Sequence, residues 1–107
     1  MAQPGFVYTL YLENDCYYVG YSSRDNIQTR ICSHFIGAGS KFTQINKPIS
    51  IIDVKPGGIL LETLTTLALM CDPGIGWEKV RGGSYTNIEM KEPASLKKAK
   101  HYLSYYK

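Results

Sequence analysis

Three groups of residues in this chain have the types and spacing that chemistry needs. Five of its nine tyrosines, Tyr8, Tyr11, Tyr17, Tyr18 and Tyr21, fall within fourteen consecutive residues. A hairpin with aromatic cross-strand pairs would account for them, because tyrosine suits half-buried strands. Arg30 and His34 are four residues apart and project from one helix face beside its apolar stripe. They are either a solvated basic face or a cation and a titratable imidazole aimed at an anion. Glu62 lies in Ile59-Leu60-Leu61-Glu62-Thr63-Leu64, where every near neighbour but Thr63 is apolar. Burying an unpaired carboxylate costs several kcal/mol, so such a residue is paired, held at a rim, or bound to a cation. The alternative is a narrow polar stripe shared with Thr65 and Thr66.

The elements that must position these groups can be read from pattern. Phe6 to Leu12 is aromatic and β-branched, a strand. Glu13-Asn14-Asp15 is a turn signal, and Cys16 to Tyr21 is the returning strand of a hairpin. Ser22 and Ser23 offer N-caps to an amphipathic helix that runs to about Ile36, with Ile27, Ile31 and Phe35 as its apolar stripe. Gly37-Ala38-Gly39 ends it. A polar loop, Ser40 to Lys47, leads to a third strand from Ile49 to Val54. After Pro56-Gly57-Gly58, Ile59 to Met70 is apolar nearly all round, the composition of a core helix. Trp77 to Asn87 reads as a loop. A last helix, about 93–105, opens at Pro93 with Leu96, Ala99, Leu103 and Tyr106 on one face and Lys97, Lys98 and Lys100 on the other. The order predicts an α+β domain with a small, mainly antiparallel three-stranded sheet flanked by helices.

Length and composition set the bounds. A chain of 107 residues has room for one compact core, so 1–107 is expected to be a single domain. With 44% hydrophobic and 20% charged residues it is ordinarily globular. No apolar run approaches the roughly 20 residues of a membrane span, and Met1-Ala2-Gln3-Pro4 lacks the order of a signal peptide. An intracellular protein is expected, cytoplasmic or nuclear. Cys16, Cys32 and Cys71 are an odd count with no C-x-x-C pair, which predicts reduced, mostly buried thiols. Cys32-x-His34 matches no common zinc spacing. A net charge of +3 leans mildly toward polyanions.

The residues also match a known pattern. Val7-Tyr8 in the first strand, Tyr18-Val19-Gly20 in the second, and Arg30-x-x-x-His34 on the following helix resemble the GIY-YIG endonuclease family. The Thr43 to Pro48 segment before the third strand and one glutamate, Glu62, on a later helix continue the match over about residues 5–90. The resemblance implies a metal-dependent endonuclease acting on DNA. Tyr8 would act on the attacking water and Tyr18 would help position it. Arg30 would hold the scissile phosphate, His34 would match a histidine of some branches, and Glu62 would be the single ligand of Mg2+ or Mn2+. Gly20 would allow the hairpin to pack closely on the helix. Asn87 resembles an asparagine that some homing-type members carry after the core. The first motif lacks the family's glycine, Val19 replaces isoleucine, and the first strands carry no obvious lysine. Lys41, Lys79 and Arg81, with the lysines of the last helix, are candidates to track backbone phosphates. A homodimer or larger complex would fit the absence of an added specificity domain. The rival expectation is a nucleic-acid-binding or assembly module that keeps the fold without turnover.

Two expectations can be tested on coordinates. A free phenol has a pKa of about 10, so Tyr8 needs help: Arg30, a metal or charged His34 would lower it, or neutral His34 would accept its proton. The second route predicts a rate that climbs near the ordinary imidazole pKa of about 6.5. Turn length is the other. A two-residue loop would place Tyr8 and Tyr18 on opposite faces of the sheet, so the shared site that the resemblance implies predicts an odd-length loop or a bulge.

Overall fold

The structure, a computed structural model, describes residues 5–103, with side chains described over residues 5–98. Strand β1 (Phe6–Leu12) turns into β2 (Cys16–Ser22) through three residues, Glu13–Asp15. Asn14 and Asp15 take positive φ angles of 63° and 57°, a conformation their short polar side chains tolerate. The turn pairs Leu12 with Cys16, Leu10 with Tyr18 and Tyr8 with Gly20. The loop is therefore odd, and Tyr8 and Tyr18 share a face.

Helix α1 (Ile27–Phe35) starts later than the serines suggest. Ser22 is the buried end of β2, and Ser23 instead closes a turn onto Asn26, whose N–H donates to the Ser23 carbonyl at 3.1 Å. The expected polar loop contains a short helix, α2 (Lys41–Ile45), capped by Ser40 Oγ, which accepts the Thr43 N–H at 3.3 Å. Strand β3 (Pro48–Pro56) pairs antiparallel with β1, with register shifts at Thr9/Leu10 and Tyr11/Leu12. Prolines at both ends suit an edge strand, where no ladder donor is missed.

The sheet has four strands in the order β3-β1-β2-β4, and it is mixed. The fourth, β4 (Val80–Gly82), lies parallel to β2 inside the segment expected to be a loop. Three residues show no alternation to read, and the pairing joins Tyr17 to Val80 across the chain, so nothing local announces it.

Side chains of β1 and β2 alternate between two small cores. On one face Tyr8, Leu10, Leu12, Cys16 and Tyr18 pack with Phe42 of α2 and with Ile27 and Ile31 of α1. On the other, Met70 of helix α3 (Ile59–Cys71), Val80 and Leu96 of helix α4 (Ala94–Leu103) meet, with Tyr17 and Trp77 around them. Phe35, expected in the apolar stripe of α1, is largely exposed.

Helix α3 is not a core helix. Ile59, Leu60 and Leu64 are exposed, and its buried residues are Thr66 and Met70. These continue a line at four-residue spacing from half-buried Glu62, and Thr66 Oγ1 donates to the Glu62 carbonyl at 2.7 Å. Glu62 thus stands on the inward line of the helix and not on an outward polar stripe. On α4, Lys97 and Lys98 are exposed, while the side chains of Ala99 and Lys100, and Tyr106 altogether, lie outside the described residues. All three cysteines are free: Cys16 is buried, Cys71 half-buried and Cys32 exposed. Among the described residues no helix is long and apolar enough to cross a membrane.

Candidate active site

Tyr8 enters the site from the middle of β1 and is fully buried. Its ring lies across Gly20 of β2, where an added Cβ would fall 2.3 Å from both Cζ and Oη of Tyr8. The glycine therefore makes room for the phenol; its partner is Tyr8 and not the helix. Gly20→Ala is expected to displace the ring at a cost of about 1–3 kcal/mol of stability, read by urea denaturation. A variant as stable as the wild type would mean that the ring can move without penalty.

His34 comes from the last turn of α1 and is also buried. Its Nε2 lies 2.7 Å from the Tyr8 hydroxyl, and its Nδ1 lies 2.9 Å from Thr43 Oγ1 of α2. Tyr18 packs on the same imidazole with ring centres 4.9 Å apart, and the two phenol rings are centred 6.5 Å from each other. Both imidazole nitrogens are thus engaged within the protein, which removes His34 from any zinc site with Cys32.

Arg30, one turn before His34, is exposed, and its charge acts on the Tyr8 phenol. Glu62 approaches from α3, with backbone N–H groups of Tyr21 and Gly83 on its carboxylate. Its charge acts on both phenols, and that of Arg30 acts on all three groups. The five residues singled out from the sequence, Tyr8, Tyr18, Arg30, His34 and Glu62, therefore form one electrostatic neighbourhood drawn from β1, β2, α1 and α3.

Burial sets the protonation states. It pushes the Tyr8 phenol well above its ordinary range, and Tyr18 adds to this, against the weaker pull of Arg30. Tyr18 is raised mainly by burial too, opposed by a hydrogen bond from Ser40. Burial, helped by Arg30, brings His34 down to about 4. Arg30 pulls the Tyr8 phenol down as expected, but loss of water outweighs one guanidinium. Burial likewise disfavours a charged His34. Glu62 is raised by burial, with the two amides and Arg30 pulling it back.

Could this site hold a cation? Among the described residues no cluster of three or more His, Cys, Asp or Glu exists. Mg2+ keeps most of its waters and needs only one or two carboxylates beside a substrate phosphate. Glu62 fits that role: it is half-buried, oriented by two amides, and makes no contact ion pair among the described residues.

The remaining candidates lie elsewhere in character. Arg81 is buried, and its guanidinium donates to the carbonyls of Trp77, Glu78, Val80, Asn87 and Ile88 while lying over the Phe42 ring. Its guanidinium is buried and occupied in holding β4 and the following loop, which keeps it from a backbone phosphate. Asn87 contributes its carbonyl to that arrangement, with its residue surface exposed. Lys41 is exposed at the start of α2, and Lys79 reaches the Asn14 carbonyl at 3.4 Å. Sequence reasoning passed over Ser40 and Thr43 as site residues. The pattern Ser40-x-x-Thr43, a serine cap with a hydroxyl one turn on, was the available signal.

With this geometry in hand, the chain was compared with family models, curated proteins and solved structures, and it matches none of them.

Proposed function

We propose that this chain is a metal-dependent phosphodiesterase of the GIY-YIG endonuclease kind, cutting DNA. The observation that carries the proposal is the buried Tyr8–His34 hydrogen bond of 2.7 Å, set beside an exposed arginine and an inward-facing carboxylate. A phenol paired with a neutral imidazole is a proton path, and a fold kept only for assembly has no need to bury one.

In this proposal Arg30 binds the scissile phosphate, for which its planar, permanently charged fork is suited. Tyr8 is fully buried, so in this proposal substrate binding opens a path for water to the phenol. Tyr8 Oη then accepts a proton from the attacking water while its own proton passes to His34 Nε2. Tyr18 holds the imidazole from the other side. The water oxygen forms the new bond to phosphorus, the bond to the leaving oxygen breaks, and solvent protonates the departing alkoxide. A divalent ion on Glu62 would supply Lewis-acid stabilisation of the phosphoryl charge.

The test is to incubate the protein with supercoiled plasmid, branched DNA and RNA, in Mg2+ or in EDTA, beside Arg30→Ala purified in parallel. Cleavage of DNA that needs the metal and is lost in the variant supports the proposal. Binding without cleavage on every substrate would favour the non-catalytic module, and equal cleavage by the variant would point to a contaminant.

A further inference from the structure

We propose that Thr43 fixes the tautomer of His34, holding the proton on Nδ1 so that Nε2 faces Tyr8 as a bare acceptor. As a statement about proton transfer in a reaction this rests on the nuclease proposal; as a statement about the imidazole it does not.

A chain of hydrogen bonds links Tyr8, His34, Thr43 and Ser40, and it ends on a group that works in one direction only. At one end, Thr43 Oγ1 lies 2.9 Å from the Ser40 carbonyl oxygen. A carbonyl only accepts, so the Thr43 hydrogen points there, since two lone pairs facing each other at that distance would repel. Thr43 Oγ1 must then accept along its 2.9 Å contact with His34 Nδ1, which places a hydrogen on Nδ1. A neutral imidazole carries one N–H, so Nε2 offers a lone pair. At the other end, a lone pair on Nε2 faces the Tyr8 hydroxyl at 2.7 Å, so the phenolic hydrogen goes to Nε2. The chain runs one way, from Tyr8 to His34 to Thr43 to Ser40.

The backbone keeps the chain in register. Thr43 is buried, its N–H is held by the Ser40 cap, and Gly39 passes so close to the ring that a Cβ there would fall 2.2 Å from Nδ1. No water-sized adjustment is needed for the ring to find its partner. Thr43 touches no substrate in this scheme; it is a positioning residue acting through His34, in the way the group behind a histidine sets which nitrogen is free.

The tautomer can be read without turnover. The sequence holds two histidines, His34 and His101, so the 15N-labelled His101→Gln variant of the full chain isolates the His34 ring. Long-range 1H–15N spectra at pH 7 should give a protonated, pyrrole-like Nδ1 and a pyridine-like Nε2. Thr43→Val, which keeps the shape and removes the hydroxyl, should shift His34 toward the other tautomer and lower kcat roughly 10–100-fold with KM little changed. Thr43→Ser should restore both. A wild-type ring protonated on Nε2 overturns the inference, as does a folded Thr43→Val protein with the wild-type tautomer. If Nδ1 carries the proton and no nucleic acid is cut, the tautomer assignment stands and only the nuclease proposal fails.

Discussion

Glu62→Gln is expected to reduce cleavage by at least about 10³-fold while leaving thermal stability unchanged or slightly higher. The two halves of this result have separate causes. Glutamine keeps an oxygen that can accept the N–H of Tyr21 and Gly83, so the helix–sheet junction loses no hydrogen bond. It removes a charge that burial already disfavours, which relieves a cost and raises no new one. What is lost is the carboxylate that would hold the divalent ion, and Lewis-acid assistance to phosphoryl transfer is worth several kcal/mol, at about 1.4 kcal/mol per tenfold in rate. Initial rates at saturating Mg2+ and melting curves at one pH check both halves. A residue kept at the expense of stability is the mark of a functional site. Full activity in Glu62→Gln would remove the carboxylate from the proposed chemistry.

Tyr8→Phe is expected to lower kcat about 10²–10⁴-fold, the span associated with a positioned proton-transfer group. The pH profile then decides which group titrates. If phenolate Tyr8 were the base, the rate would climb steeply toward alkaline pH, because burial raises that phenol. If the proton is handed to His34, the base is already neutral above about pH 4, and the rate through His34 should be flat from about pH 6 to 8. The groups facing the imidazole are Tyr8 from β1, Tyr18 from β2, Arg30 on its own helix, and the uncharged hydroxyl of Thr43 from α2. Burial raises both phenols, and Thr43 carries no charge. The limb expected near pH 6.5 from an unperturbed histidine should therefore be missing; a limb there that His34→Ala abolishes would mean a solvated ring, whereas one that His34→Ala keeps belongs to Glu62, whose carboxyl burial raises.

The same depressed pKa has a thermodynamic consequence. An unfolded His34 titrates near 6.5 and the folded one at about 4, so between these values the unfolded chain binds more protons. Stability contributed by the neutral ring is fully present above about pH 6.5 and falls on acidification, by about 3 kcal/mol at pH 4. Denaturation midpoints of the wild type and His34→Gln across this window should converge as the pH drops.

Much of this arrangement was legible before any coordinates. The odd-length turn from Glu13 to Asp15 followed from strand alternation once the resemblance asked Tyr8 and Tyr18 to share a face. The i, i+4 relation of Arg30 and His34 is equally a property of helical geometry. Other features depended on what packs against what. Helix α3 is so uniformly apolar that its sequence does not choose an inner face; contact with β2 and β4 chose the line through Glu62, Thr66 and Met70 and left Leu60 and Leu64 in water. Arg81 carries a charge that any reading of composition assigns to the surface, yet five carbonyls, of Trp77, Glu78, Val80, Asn87 and Ile88, gather around it. The strand β4 that carries it pairs in parallel with residues some sixty positions earlier, a contact with no local signature.

By itself, then, the chain's order of residues determined the hairpin and the identities of the five polar groups on it and on the helices that follow. Only the tertiary structure decided their protonation. The phenol is pushed up and the imidazole down by loss of water around them, and how much water is lost depends on the elements α1 and α2 lay over the sheet. Local pattern encodes direction and spacing, because these are properties of helices and strands. Dielectric surroundings belong to the packed whole, and no window of the sequence contains them.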